Sequence, residues 1–208
     1  MIKQKTLFAG MLAAMLFASI SLAQEVPKSE VSVQGLGSFT SDTTGRGVRQ
    51  HTTDSGGVLA SYRYHFNRWF GADGSYGYTR NTQQNFSTGG FSLGSTQSNM
   101  HQITGALVVT LPEKILLFRP FVLAGGGVLN FSPTGNNFFS GTPLSASGQN
   151  KGAFVYGAGT DVDLSNHFAI RVEYRGLVYD RPDFGFTFLN SGRTTHTAQP
   201  SAGFVFRF

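Results

Sequence analysis

A strict two-residue alternation of side-chain character constrains this chain more than any other feature. Residues 169–180, AIRVEYRGLVYD, place Arg171, Glu173 and Arg175 at every second position, and the positions between them are apolar or small. Successive side chains of a β-strand point to opposite faces of a sheet, so the segment predicts a strand with one charged and one apolar face. The rest of the chain has to decide which of these faces is turned toward water.

Eight segments of the chain carry this alternation. Each is close to the ~9–11 residues that a tilted strand needs to cross a bilayer. The segments are 30–39, 57–66, 69–78, 102–111, 119–131, 153–164, 169–180 and 197–208.

The connections between these segments are unequal in length. Short turns around 67–68, 112–114 and 165–167 alternate with longer polar, Gly-rich connections at 40–56, 79–99, 132–151 and 180–196. This alternation is typical of outer-membrane barrels, which have short periplasmic turns and long extracellular loops. The sequence therefore predicts an all-β fold, an eight-stranded antiparallel up-and-down transmembrane β-barrel.

Composition argues against several other classes of protein. Charged residues make up 13% of the chain, whereas ordinary soluble domains have about 25%. The chain has no Cys, so disulfides and thiolate metal sites are not available. A net charge of +5 is too small and too scattered to predict nucleic-acid binding.

The first 23 residues predict a cleaved signal peptide. Two lysines precede an apolar run, and the run ends in Ser21-Leu22-Ala23, a small-x-small cleavage site. A transmembrane anchor is the alternative, but the run is shorter than the ~20 residues that a spanning helix needs. We expect residues 24–208 to form one exported barrel domain.

The charged residues of the predicted strands share one face. An unpaired buried charge costs several kcal/mol, so charges enclosed in a narrow barrel must be balanced, whereas exposed surface charges need not be. Four cations and four anions lie on this face, which favours a charge network inside the barrel: Arg63, Asp73, Asp161, Asp163, Arg171, Glu173, Arg175 and Arg207.

The opposite face is apolar and rich in aromatic residues near the strand ends, as in the aromatic girdles of membrane barrels. The alternative is a soluble lipocalin-like barrel, which would enclose this apolar face around a ligand. Arg119 lies off the charged face, and we expect its stem to snorkel to the membrane interface beside a short turn.

Two of the short turns predict specific ion pairs. If each turn keeps the charged faces of its two strands on the same side of the sheet, Arg63 lies opposite Asp73 in one hairpin. By the same rule, Asp161 lies opposite Arg171 in another. A register shifted by two residues would preserve the faces but not these pairs.

The sequence contains one arrangement that resembles a catalytic site. His65, Asp73 and Ser75 share the predicted inner face of one hairpin, but Arg63 is already the predicted partner of Asp73, so a structural network is favoured over a catalytic triad. The other four histidines lack metal-ligand spacing. We expect no catalysis, no metal and no cofactor.

Two motifs resemble the OmpA-like transmembrane β-barrel family: IRVEYRG at 170–176 and the terminal GFVFRF ending at Phe208. The resemblance covers about residues 30–208. It implies the barrel fold, and it implies that Phe204, Phe206 and Phe208 form a signal read by the barrel-assembly machinery.

The predicted long loops carry aromatic residues. Phe138 and Phe139 lie in one loop, and Phe184, Phe186 and Phe188 recur at period two in another. Exposed apolar patches usually mark contact sites, so these residues are candidates for adhesion or ligand capture. The alternative is that the loops pack their own aromatics together.

These observations predict an outer membrane protein with a structural or surface-interaction role and no enzymatic activity. A narrow or gated pore for small solutes is the alternative, and a lipid A-modifying enzyme is less favoured. Expected partners are outer-membrane lipid and lipopolysaccharide, the assembly machinery and an extracellular ligand or surface. We expect a monomer that does not bind nucleic acid.

Overall fold

The computed structural model describes residues 28–41, 43–45, 48–52, 54–87, 92–111, 117–134, 138–139, 142–143, 148–180 and 194–208. Twelve strands lie within these ranges: β1 (Ser29–Thr40), β2 (Thr43–Gly45), β3 (Val48–Thr52), β4 (Ser55–His65), β5 (Phe70–Ser87), β6 (Ser92–Thr110), β7 (Phe118–Pro133), β8 (Phe138–Phe139), β9 (Thr142–Pro143), β10 (Gln149–Asp163), β11 (Phe168–Asp180) and β12 (Thr194–Arg207). The described residues include no helix that is long and apolar enough to span a membrane.

Eight of the strands, β1, β4, β5, β6, β7, β10, β11 and β12, form a closed antiparallel barrel. Each pairs with the next along the chain, and β1 pairs with β12. Closure lets backbone hydrogen-bonding groups pair within the sheet, which lipid cannot offer them. The predicted fold is therefore confirmed.

Tight turns at 66–69 and 164–167 join β4 to β5 and β10 to β11. In the first, the Phe66 N–H donates to the Phe70 carbonyl over 2.9 Å, and Asn67 Oδ1 accepts from the N–H groups of Trp69 and Phe70 at 2.8 Å. In the second, Ser165 Oγ accepts from the backbone N–H of the residue that starts β11. We call this end of the barrel the turn end and the opposite end the loop end.

The turns fix the strand register. Arg63 lies opposite Asp73 across the β4–β5 ladder, and Asp161 lies opposite Arg171 across the β10–β11 ladder. Both predicted pairs are confirmed, because each turn joins its strands at the residues that the alternation predicted.

The two faces of the strands differ sharply in exposure. On β1, Glu30, Ser32 and Gln34 are buried in the lumen, whereas Val31 and Val33 are exposed on the outside. The other barrel strands also place aromatic or aliphatic side chains outside, and buried charged side chains face the lumen from β4, β5, β10, β11 and β12. The alternative of an apolar lumen inside a charged exterior is therefore excluded.

The outer face is apolar over a defined height. On β7, the outward side chains are apolar from Phe118 to Val128, and Asn130 is the first polar one. These roughly ten residue steps correspond to about 25 Å along a strand tilted by ~40°, the height of the apolar band in such barrels. The outward face becomes polar near the same level on β5, β6 and β10, at Arg80, His101 and Asn150.

The region predicted as a loop at 79–99 is largely strand, and that prediction is wrong. β5 and β6 continue as one ladder from Phe70 with Val109 to Phe86 with Ser92, with a register shift at Asn85 and Phe86. β3 adds to the edge of β5, and β8 adds to the edge of β6. The polar Asn, Gln, Ser and Thr residues of this segment obscure the strand signal, because the alternation disappears where neither face is apolar.

Candidate functional site in the barrel lumen

Charged side chains fill the part of the lumen nearest the turn end. Five arginines and five carboxylates lie there, and eight of the ten residues are at most 4% exposed. The ten residues, which we call the lumen network, are Glu30, Arg63, Asp73, Arg119, Asp161, Asp163, Arg171, Glu173, Arg175 and Arg207. Their formal charges cancel.

Two members of the lumen network were not predicted from the sequence. Glu30 is the first charged residue of β1, and it faces inward with Ser32 and Gln34. Arg119 was expected to snorkel to lipid, but its Nη2 donates to Asp163 Oδ2 over 3.1 Å in the lumen. The snorkelling prediction is wrong because Arg119 lies two residues before Phe121 on β7, so both side chains point into the lumen.

Glu30 links four strands. Its Oε1 accepts from Arg171 at 2.5 Å and lies 3.4 Å from Arg63 Nη1. Its Oε2 accepts from Arg207 Nε at 3.2 Å and lies 3.5 Å from His65 Nε2. One carboxylate thus connects β1 to β4, β11 and β12.

Asp161 and Asp163 connect β10 to three other strands. Asp161 accepts two hydrogen bonds from Arg171, at 2.7 and 2.8 Å, and one from Arg207 at 2.7 Å. Arg207 also donates to Asp163, which is the partner of Arg119 as well. Bidentate charge-assisted bonds of this kind are among the stronger hydrogen bonds in proteins.

Arg175 spans the lumen from β11 to β5. Its Nη2 donates to Asp73 Oδ1 over 3.0 Å, and its Nη1 donates to Ser75 Oγ. Its Nε donates to Glu173 on its own strand. Three strands separate β5 from β11 in either direction around the barrel, so Arg175 joins opposite walls.

A second bridge crosses the lumen between β6 and β12. The Gln102 and Gln199 side chains exchange two hydrogen bonds, at 3.2 and 2.9 Å, and each residue is 1% exposed. These strands also lie on opposite walls. The two bridges, Arg175 with Asp73 and Gln102 with Gln199, therefore cross the lumen along different directions.

An aromatic ring supports the lumen network. The Cζ atoms of Arg63 and Arg171 lie 4.2 and 5.0 Å from the centre of the Phe121 ring. Arginine over an aromatic face is an attractive cation–π arrangement, and it gains strength where water is absent. Phe121 thus fills space between the charges.

An apolar cluster covers the wall formed by β6, β7, β10 and β11. It accounts for the unclear alternation in the predicted fifth strand, because Leu123 and Leu129 point inward while Val122 and Val128 point outward. The alternation of polar and apolar residues does not predict this apolar part of the lumen. The cluster consists of Met100, Val108, Phe121, Leu123, Leu129, Phe131, Val155, Leu177 and Tyr179.

The three residues that could be drawn as a catalytic triad do not form one. His65 faces Glu30, and Asp73 accepts from Arg63 Nε at 3.2 Å as well as from Arg175. Ser75 Oγ lies 2.6 Å from the Thr104 hydroxyl. Among the described residues, no cluster of His and acidic side chains could hold a metal ion.

The predicted assembly signal lies on the outer face. Phe204, Phe206 and Phe208 are all exposed, and the rings of the last two stack at 5.9 Å. Of the candidate loop aromatics, Phe184, Phe186 and Phe188 lie outside the described residues. Only the backbone of the other two is described, in β8.

A closed antiparallel barrel with an apolar outer band and a charged lumen is an integral outer membrane β-barrel. The chain belongs to the outer membrane protein beta-barrel domain family, whose model matches residues 9–208. The protein is therefore located in the outer membrane.

Two solved structures of small outer membrane barrels share this fold, and a third is similar at a lower TM-score. OprG from Pseudomonas aeruginosa is 13% identical, with 87% of this chain and 96% of that chain covered and a TM-score of 0.60. Neisserial surface protein A is 13% identical, with 86% and 97% covered and a TM-score of 0.58. Ail of Yersinia pestis, in complex with the heparin analogue sucrose octasulfate, is 19% identical, with 87% and 99% covered and a TM-score of 0.49. No match was found among curated protein sequences.

Proposed function

We propose that the protein is a closed outer membrane barrel whose role is structural and surface-interactive, and that its lumen does not conduct. The observation that carries the proposal is the pair of bridges, Arg175 with Asp73 and Gln102 with Gln199, that cross the lumen between opposite walls. Eight strands enclose a space that side chains can fill, so two such bridges suffice to block it.

The energetics of the lumen network favour a permanently closed state. Breaking a buried ion pair by removing one partner costs about 3–5 kcal/mol, because the other charge is left without compensation. Opening a path would require several of these contacts to break together. The paired state also explains why ten charged residues are compatible with a stable barrel inside a membrane.

The strands beyond the membrane support a surface role. β5 and β6 extend past Arg80 and His101, and the short strands β3 and β8 widen the sheet on either side. This sheet and the loops are the parts that would meet an extracellular ligand or surface. Lipopolysaccharide surrounds the barrel, and the assembly machinery inserts it as a monomer.

Conductance tests the closed lumen. The purified barrel, refolded and inserted into a planar bilayer, is expected to give no steady unit steps. A sample heated until it no longer migrates as the folded form controls for leakage caused by insertion alone. Reproducible unit steps from the folded form only would overturn the proposal in favour of a small-solute pore.

The absence of catalysis has its own test. Overexpression is expected to leave the mass spectrum of lipid A unchanged, because the inner-face His, Asp and Ser are occupied by other contacts. Gain or loss of an acyl chain would contradict this and would favour the lipid-modifying alternative.

A further inference from the structure

Acidic residues are absent from a long internal part of the chain. Between Asp73 and Asp161 the sequence contains one carboxylate, Glu113, and it lies in the segment that joins β6 to β7 at the turn end. The loop end of β5, β6, β7 and β10, with the connections between them, therefore has no acidic residue. It does have Arg80, and this sector of the barrel is suited to bind anions.

A row of polar side chains crosses the outer face of this sector. His101 on β6 is paired with Tyr78 on β5 and with Asn130 on β7, and Asn130 is paired with Asn150 on β10. Arg80 is paired with the residue two positions before His101, so the two are diagonal neighbours, roughly 7–8 Å apart in such a ladder. The row lies directly beyond the apolar band, at the level of lipid headgroups.

Hydrogen bonds hold this row in place. Arg80 Nη2 donates to Gln97 Oε1 over 2.9 Å, and the Thr134 hydroxyl donates to the same oxygen at 3.2 Å. The Tyr76 hydroxyl lies 2.8 Å from His101 Nδ1. Arg80 is exposed, and among the described residues its side-chain contact is with a neutral amide. Its charge is therefore available to a ligand.

We propose that Arg80 and His101 form a binding site for a phosphate of lipid A in the surrounding lipopolysaccharide. Guanidinium groups bind phosphate through charge-assisted hydrogen bonds, and the position of Arg80 just above the apolar band matches a lipid whose acyl chains lie against that band. Asn130 Nδ2 donates to Asn150 Oδ1 over 2.7 Å, and this bond orients the Asn150 amide so that its N–H groups can donate to sugar hydroxyls of the phosphorylated disaccharide. A simple phospholipid headgroup lacks these hydroxyls.

This site does not depend on whether the lumen conducts. The two ideas therefore fail separately, because conductance reports the bridges across the lumen and lipid binding reports the outer face. The loop end faces the outer leaflet in the orientation predicted from the alternating turn and loop lengths.

Lipid binding by single-charge variants tests the site. Native mass spectrometry of the folded barrel in neutral detergent, titrated with bisphosphorylated lipid A, gives the affinity. Arg80→Gln is expected to weaken binding about fivefold, the ratio that corresponds to about 1 kcal/mol for one basic residue near an anionic lipid surface. Arg80→Lys should retain most of the affinity and shows that the loss follows the charge.

The matched control is Arg68→Gln, which removes an exposed arginine from a turn at the opposite end. It should bind lipid A as the unmodified protein does. The proposal is overturned if Arg80→Gln binds normally or if Arg68→Gln loses as much. It is also overturned if dephosphorylated lipid A or phosphatidylglycerol binds as tightly as the bisphosphorylated form.

Discussion

Arg175 on β11 and Asp73 on β5 meet across the lumen, with 3.0 Å between the guanidinium Nη2 and the carboxylate Oδ1. Asp73 also accepts from Arg63 on the neighbouring strand β4. One carboxylate therefore holds two arginines that approach from opposite sides of the barrel. Asp73 therefore couples the hairpin pair with Arg63 to the cross-lumen pair with Arg175.

Replacing Asp73 is expected to destabilise the barrel strongly. Asp73→Asn leaves Arg63 and Arg175 with a neutral partner, so the free energy of unfolding should fall by about 3–5 kcal/mol. Denaturant unfolding in lipid vesicles, followed through the single tryptophan, Trp69, measures the change. Asp54→Asn is the control, because Asp54 is exposed, and it should stay within about 0.5 kcal/mol of the parent. Equal losses of unfolding free energy in Asp73→Asn and Asp54→Asn would show that the cross-lumen contacts do not stabilise the barrel.

Removing both bridges is expected to open the lumen. A variant with Arg175→Ala, Gln102→Ala and Gln199→Ala lacks the contacts that join opposite walls, so the planar bilayer should show unit steps that the parent lacks. Arg68→Ala, which removes an arginine outside the lumen, should remain silent. A folded triple variant without steps would mean that the apolar cluster and the rest of the lumen network close the lumen without the two bridges.

Replacing glycine by alanine is expected to change the stability of the barrel differently on its inner and outer faces. A Cβ at Gly125, which faces the lumen, would lie 2.0 Å from the backbone oxygen of Gly105, so Gly125→Ala must move the β6–β7 ladder and should cost about 1–3 kcal/mol. A Cβ at Gly105 meets nothing within 4 Å, so Gly105→Ala should be neutral or slightly stabilising. The temperature at which the folded band disappears from a gel compares the stability of the two variants. The reverse order would contradict the assignment of faces.

Single-cysteine labelling is expected to reveal the orientation in the membrane. The chain has no cysteine, so each introduced one is unique. Asp54→Cys, which is exposed at the loop end beyond the level of Arg80, should react with a membrane-impermeant maleimide on intact cells, whereas Asn166→Cys, in a tight turn, should react only after the outer membrane is permeabilised. Reaction of Asn166→Cys on intact cells would place the turns outside and would remove the basis for the lipid A site.

Phe208 is expected to affect assembly in cells more strongly than it affects the refolding of the purified barrel. Phe208→Ala should lower the amount of folded barrel in the outer membrane while leaving refolding of the purified protein into vesicles nearly unchanged, because the assembly machinery is absent there. Phe168→Ala is the control, since Phe168 is an exposed aromatic at the same end that lies against Phe206. Equal effects of both variants in cells would mean that an aromatic girdle, and not a terminal signal, is being read.

Much of the lumen network was accessible from the sequence, and its two omissions have different causes. The position of a residue along a strand assigns its side chain to a face only where polar and apolar residues alternate clearly. The alternation was clear around Arg171 and Arg63, but β7 is apolar on both faces, so Arg119 was assigned to the wrong side. Glu30 begins its strand, where a single charge is hard to separate from the preceding segment.

The sequence by itself determined the number of barrel strands, the face that each presents to lipid and the pairing inside hairpins, because side-chain alternation and short turns are local properties. Only the tertiary structure decided which residues meet across the lumen. The contacts of Arg175 with Asp73 and of Gln102 with Gln199 join strands far apart in the sequence. They arise when the sheet closes, since closure brings opposite walls within reach of one side chain and fixes the stagger at which they face each other.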